Sequence, residues 1–302
     1  MSPESYPAPI ERWSLRLNLA RSLHHAEHCG SLLRGAFGHA LKSLACRCSG
    51  EPHQPDCLYQ QIFEPQQPAG WPKRYRDCPP AYVISPPPIE RHHPAQLDFD
   101  LTLLGPTLMQ RGLIWQAWQQ AARLGLGASR VPATLEARGH AEQLPATPLD
   151  GQIRLKLTSP LLLKRKKTGQ TASVALSPDQ MHIEDLIIAL HRRLELTQRL
   201  YGVPAEPLPA LDSWLAAVPH LTWSGHLHEH HYSRHSSRQQ QRMPLYGLGG
   251  EIHINGSIPQ SLRNALALGQ WLHIGGKTAL GLGGYQVMTK RDFTVQNRKP
   301  MS

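Results

Sequence analysis

The sequence predicts an α+β fold made of two tandem ferredoxin-like (RRM-like, βαββαβ) domains, with a glycine-rich loop near the C-terminus. Three observations carry this. A chain of 302 residues is long enough to bury two cores. Segments with period-two alternation bracket amphipathic segments with helical period in each half. The last helix, glycine run and strand follow one another in the order that ends a βαββαβ unit. No sequence repeat links the halves, so the duplication shows only as pattern.

In chain order, ERWSLRLNLARSL (11–23) alternates Trp13, Leu15, Leu17 and Leu19 with polar residues and reads as a half-buried strand. SLLRGAFGHALKSLAC (31–46) carries Leu32, Leu33, Ala36, Phe37, Ala40, Leu41 and Leu44 at helical spacing, with Ser31 as the expected N-cap. Residues 47–95, rich in proline, cysteine and glutamine, read as an irregular excursion. LDFDLTLLG (97–105) alternates again, TLMQRGLIWQAWQQAARLG (107–125) is an amphipathic helix, and ATLEARG (133–139) closes the first half as a strand. The linker is expected at 140–151. The first domain is therefore assigned to residues 1–145, with a Cys/Pro-rich insertion at about 46–95, and the second to 146–302.

In the second half QIRLKLTSPLLLK (152–164) reads as a strand, followed by the basic loop KRKK (164–167). MHIEDLIIALHRRLELTQRLYG (181–202) is a long helix, a hairpin spans 221–256, and SLRNALALGQWLHI (261–274) is the last helix. HIGGKTALGLGGYQV (273–287) then concentrates Gly275, Gly276, Gly281, Gly283 and Gly284 around Lys277 and Thr278. Glycines beside lysine and threonine resemble a phosphate cradle. A P-loop is excluded, because its first glycine would fall at Trp271 and because the run here follows a helix and precedes a strand.

Lysine and arginine number 32 against 22 acids, a net charge of +10 before any of the 18 histidines titrates. That balance suits a polyanionic partner such as nucleic acid. No apolar run approaches bilayer length and no signal-peptide core is evident, so a soluble, cytoplasmic protein without a membrane partner is expected. The odd count of five cysteines argues against a disulfide framework. Cys46, Cys48, Cys57 and Cys78 lie close in sequence with His53 between them, so a structural zinc could bind three or four of these. The C-x-C opening and wide last gap depart from paired C-x-x-C spacing, which favours reduced, partly buried thiols.

Four segments together resemble the CRISPR-associated precursor-RNA processing endoribonucleases of the RAMP superfamily. They are LLRGAFGHALKSLAC (32–46) with CLYQQIFE (57–64); FDLTLLG (99–105) with GLGASR (125–130); RHSSRQQQRMPLYGLGGEIHINGSI (234–258); and the C-terminal glycine loop. The resemblance implies paired ferredoxin-like domains that bind a CRISPR repeat RNA and cut it once per repeat, with no metal or other cofactor required. It implies attack by the RNA's own 2′-hydroxyl on the adjacent phosphate, leaving a 2′,3′-cyclic phosphate and a 5′-hydroxyl on the mature crRNA. It also implies that product can stay bound alongside other CRISPR effector subunits.

Such chemistry needs a base for the 2′-hydroxyl, an acid for the departing 5′-oxygen and a cation facing the phosphorane. His39 is the lead proton-transfer residue, because the family places its catalytic histidine in or beside this helix and glycines 35 and 38 leave an open surface one turn away. Lys42, three residues on, shares that face. His24, from the loop that also holds His25 and His28, is the second proton-transfer candidate, although the family often carries a tyrosine in this region. The RNA-binding candidates are Arg34, the hairpin residues Arg234, Ser237, Arg238, Gln239 and Arg242, and Gly275, Gly276, Lys277 and Thr278 of the glycine loop. His226, His228 and His230 alternate along one strand face, and an RNA-facing or merely exposed row is favoured there over a metal site. Two other function classes remain open: a non-catalytic crRNA-binding RAMP subunit, and an unrelated basic metalloprotein that uses the cysteine cluster.

Overall fold

The computed structural model describes residues 9–23, 29–72, 75, 78–88, 95–142, 152–166, 172–236 and 241–288, with the backbone alone for 232–236 and 241–244. The chain divides into two compact units. The first comprises residues 1–143, 194–207 and 278–281; the second comprises 144–193, 208–277 and 282–302.

In chain order the first unit contains β1 (Ile10–Leu19), α1 (Gly30–Ala45), α2 (Leu58–Phe63), β2 (Tyr82–Ser85), β3 (Gln96–Leu104), α3 (Arg111–Leu124) and β4 (Ala133–Ala141). Its antiparallel sheet runs β2-β3-β1-β4, the strand order of a βαββαβ unit. The alternation in β1 and β3 sends Leu15, Leu17, Leu97, Phe99 and Leu101 to the core face, where all are at most 3% exposed. The opposite face is polar: Arg12 donates to Asp100 at 2.6 Å and Arg16 to Asp98 at 2.5 Å across the β1–β3 pair. Onto the core face pack Leu33, Phe37, Ala40 and Leu41 of α1 and Ile114, Ala117, Trp118 and Ala121 of α3. Phe37 and Trp118 stack with ring centroids 5.0 Å apart.

The second unit contributes β5 (Gln152–Leu157), β6 (Lys164–Lys166), β7 (Ser173–Ala175), the start of α4 (Ile183–Tyr201), α5 (Leu211–Leu215), β8 (Leu221–Ser236), β9 (Gln241–Gly256), α6 (Gln260–Leu272) and β10 (Tyr285–Met288). Its sheet runs β10-β5-β9-β8, the same order, again antiparallel. Ile153 and Leu155 of β5 and Ile252 and Ile254 of β9 form the buried face. Leu186, Ile187 and Leu190 of α4 and Leu262, Leu266 and Leu272 of α6 are buried as well. Strands β8 and β9 pair without a register break from Leu221↔Gly256 to Ser236↔Gln241. They form the arginine-bearing hairpin expected from 221–256.

Four local expectations are corrected. Helix α1 is capped by Cys29 rather than Ser31: it begins at Gly30, and the Leu33 amide bonds the Cys29 carbonyl at 3.0 Å. The excursion 47–95 contains α2 and β2. The strand expected at 152–164 stops at Leu157, beyond which the chain bends and only Leu161 bridges to Leu248. The helix expected from residue 107 starts at Arg111, because Gly105–Gln110 form a 3₁₀ turn held by Thr107, whose hydroxyl accepts from the Leu104 amide and donates to the Ala81 carbonyl. The expected linker lies largely outside the described residues.

Candidate active site

The first unit presents on one helical stripe two of the residues expected from the sequence, His39 and Lys42. On α1, Gly35, His39 and Lys42 follow at i, i+4 and i+7 and share a face. His39 and Lys42 are exposed while their helix neighbours Ala40 and Leu41 are fully buried. The apolar stripe of α1 forces this: once Phe37 and Leu41 point into the core, residues 39 and 42 must point out. The Lys42 ammonium lies 5.5 Å from the centre of the Tyr59 ring, so α2 floors that end of the stripe. Burial pushes the Tyr59 hydroxyl up to about 12, which keeps it a neutral phenol at ordinary pH.

The two glycines expected to leave an open surface differ. A side chain on Gly35 would meet nothing within 4 Å, whereas a Cβ on Gly38 would lie 2.2 Å from the Phe63 ring. Gly38 therefore admits Phe63 of α2, and only Gly35 leaves the helix face bare. Arg34 sits with its guanidinium 4.1 Å over the same Phe63 ring, a cation–π contact that fixes its position beside the stripe. His24, His25 and His28 lie outside the described residues.

The second unit holds the other candidates. Arg234 and Arg242 are on β8 and β9 next to the hairpin tip, in register with Met243 and His235 respectively. Ser237, Arg238 and Gln239 fall outside the described residues. His228 and His230 share one face of β8, with their Nε2 atoms 2.9 Å apart above Gly249, where a Cβ would come within 2.5 Å of the His230 ring. Of the basic cluster, Arg165 is committed to Asp185, which accepts from its Nε at 2.9 Å, while Lys164 and Lys166 are exposed. Lys167 is outside the described residues.

In the glycine loop the backbone amides are turned inward. Gly276 donates to the Leu162 carbonyl at 2.8 Å, Gly283 to Pro160 at 2.9 Å and Gly284 to the Ser159 hydroxyl at 2.8 Å. Lys277 is exposed with φ +59°, a backbone conformation uncommon for a residue with a side chain, and Thr278 is buried. Glycine is used here chiefly for close backbone approach, with Lys277 the group left facing solvent.

Among the described residues, two groups bring together enough potential metal donors to matter. Glu11, His140 and Glu142 form one, but Glu11 is buried and both its oxygens accept from the Arg111 guanidinium at 2.8 Å. A cation already occupies that carboxylate. The other joins Cys46, Cys48 and Cys57 with His53, and Cys78 stands outside it. Sequence spacing pointed to the cysteines, but only the fold shows which side chains converge.

A family model described as CRISPR-associated endoribonuclease Cas6 matches residues 155–285, and another, described as an N-terminal domain, matches residues 8–151. No curated protein sequence matches the chain. Among solved structures, a Cas6 product complex is 15% identical, with 93% of this chain and 100% of that chain covered and a TM-score of 0.60. Thermus thermophilus Cas6 is 15% identical over 94% of this chain and 100% of its own, with a TM-score of 0.53. A RAMP protein described as binding different RNA substrates is 12% identical over 92% and 100%, also at 0.53. At these identities the structural likeness is one of fold, and it is the tandem ferredoxin-like fold read from the two sheets. Within that fold, residues 155–285 match the family model of the CRISPR-associated endoribonuclease Cas6, and the solved structures that share the fold include Cas6 and RAMP proteins.

Proposed function

We propose that this protein binds a CRISPR repeat RNA and cleaves it once per repeat by transesterification, with no metal in the cleavage step. The observation that carries the reading is the exposed imidazole of His39 beside Lys42 on the open stripe of α1, in a chain with a Cas6 domain. The 2′-hydroxyl gives its proton to a base as its oxygen attacks the neighbouring phosphorus. The 5′-oxygen leaves and takes a proton from an acid. The products are a 2′,3′-cyclic phosphate and a 5′-hydroxyl, so no water is consumed. Imidazole serves either proton role because its ordinary pKa lies near neutrality. His39 is one of the two groups and His24 the other, while Lys42 places a positive charge against the phosphorane.

The RNA is held by charge and by shape. Arg234, Ser237, Arg238, Gln239 and Arg242 of the hairpin contact phosphates and base edges, and Arg34 and Lys277 add to the grip, whereas Gly275, Gly276 and Thr278 pack the loop against the protein. The overall charge of +10 favours encounter with the polyanion. Product crRNA is proposed to remain available to other CRISPR effector subunits.

The test is incubation with the repeat RNA encoded nearest the gene, with EDTA present, followed by mapping of both product ends. Cleavage at a single position to a cyclic phosphate is expected, and a 2′-deoxy nucleotide there should block it. Tight binding without cleavage under any condition would overturn the nuclease reading in favour of a guide-holding subunit. For the hairpin, Arg238→Ala is expected to weaken repeat binding and to lower the slope of log affinity against log salt by about 0.7–0.9, the value for one lost phosphate contact. An unchanged affinity and slope in a salt titration would remove Arg238 from the interface.

A further inference from the structure

The cysteine–histidine cluster of the first unit is used by nothing in the reaction above. Cys46 leaves the end of α1 in an extended conformation, and Cys57 caps the start of α2. Between them the chain has no regular structure, yet it returns so that the Cys46, Cys48 and Cys57 sulfurs and a His53 nitrogen all lie within 4.8 Å of one another. His53 Nδ1 is 3.3 Å from the Cys46 sulfur and 3.8 Å from the Cys57 sulfur. A tetrahedral zinc with ordinary Zn–S and Zn–N bonds has ligand–ligand edges of about 3.5–3.8 Å. The cluster is therefore already near the size of a zinc coordination sphere.

A second observation points the same way. His53 is only 8% exposed, and its Nδ1 is turned toward the Cys46 and Cys57 sulfurs. A buried imidazole is ordinarily fixed by a protein hydrogen bond. Here the ring's polar contacts run from Nδ1 to sulfur, and S–H groups are weak donors. The Gln54 amide, 3.4 Å from the Cys48 sulfur, is placed to support a thiolate. The donor set is soft, holds no carboxylate and has four members, which suits zinc and leaves no open position for a catalytic water.

We propose that Cys46, Cys48, Cys57 and His53 bind one zinc ion as a closed structural site. Binding replaces three thiol protons, which pass to solvent, and leaves a centre of three thiolates, one neutral imidazole and Zn²⁺ with net charge −1. The ion joins the C-terminus of α1 to the N-terminus of α2. Through α2 it holds Tyr59 under Lys42 and Phe63 against Gly38 and Arg34, so it sets the floor of the stripe that carries His39.

The test uses the full-length chain, free of any histidine tag, purified from zinc-replete medium. Elemental mass spectrometry should find about one zinc per chain, released when a mercurial blocks the thiols. Cobalt exchanged into the same protein should show the thiolate charge-transfer and tetrahedral d–d absorption of a Cys₃His site. Cys57→Ser should lose at least about five-fold in metal content and about 5–10 °C in melting temperature, whereas Cys78→Ser should keep its zinc. Should Cys57→Ser fail to fold, the cobalt spectrum and mercurial release of the unaltered protein still decide. Three results would each overturn the proposal: metal-free protein that takes up neither zinc nor cobalt, a disulfide between two of the three cysteines, or equal loss of metal in Cys78→Ser. All these readouts are made without RNA, so they stand apart from the nuclease reading.

Discussion

Replacing His39 by alanine is expected to slow repeat cleavage by roughly 10²–10⁴-fold, the usual loss when one general acid or base is removed, while repeat affinity changes by less than about three-fold. The separation of the two effects follows from placement. The His39 side chain is exposed on α1 and is not part of the packed stripe of Leu33, Phe37 and Leu41. Alanine is also a better helix former than histidine, so α1 keeps its structure and the melting temperature holds. What is lost under the proposed mechanism is a proton-transfer group, which matters most in the transition state and so lowers the single-turnover rate. Single-turnover kinetics on labelled repeat RNA, with binding measured on a 2′-deoxy substrate, reads the two quantities separately. A variant that cuts at the rate of the unaltered protein would remove His39 from the reaction.

Much of this arrangement was legible in the sequence because its elements carry strong periods. The alternation of β1 and β3 and the apolar stripes of α1, α3, α4 and α6 each reflect one buried face, and each was readable. Strand β2 was not, because all four residues Tyr82–Ser85 are buried and so show no alternation. The apolar run Leu161–Leu163 misled in the other direction: it is buried, as a strand would be, but Leu161 makes only one bridge to Leu248. At the candidate site, the exposure of His39 and Lys42 follows from helical spacing alone. The partner of Gly38 does not, since nothing in the spacing says that Phe63 returns to fill that gap. The same holds for the cysteines, where sequence proximity admitted Cys78 as readily as Cys57 and His53, and a fold was needed to leave Cys78 out.

The glycine loop, which first suggests phosphate, is where substitution should cost the fold most. Gly283→Ala is expected to destabilise the second unit by roughly 3–5 kcal/mol, a melting-temperature loss of about 10 °C. Gly283 has φ +75°, and a Cβ there would lie 1.8 Å from the Ile274 carbonyl oxygen. Neither backbone can yield easily, because the Gly283 amide donates to Pro160 at 2.9 Å and its carbonyl accepts from the Ile274 amide at 3.0 Å. Relieving the clash would break those bonds next to β10, which pairs with β5 from Tyr285↔Leu157 to Met288↔Arg154. Gly35→Ala is the matched control: its Cβ meets open space in a helix, so it should leave the melting temperature unchanged or raise it slightly. Thermal unfolding of the two variants, with repeat binding measured well below the transition, tells the two uses of glycine apart. If Gly283 melts like the unaltered protein once substituted but releases RNA, the loop is a phosphate cradle after all; if it melts early and, while folded, still binds, the glycines are there to let the last strand close the sheet.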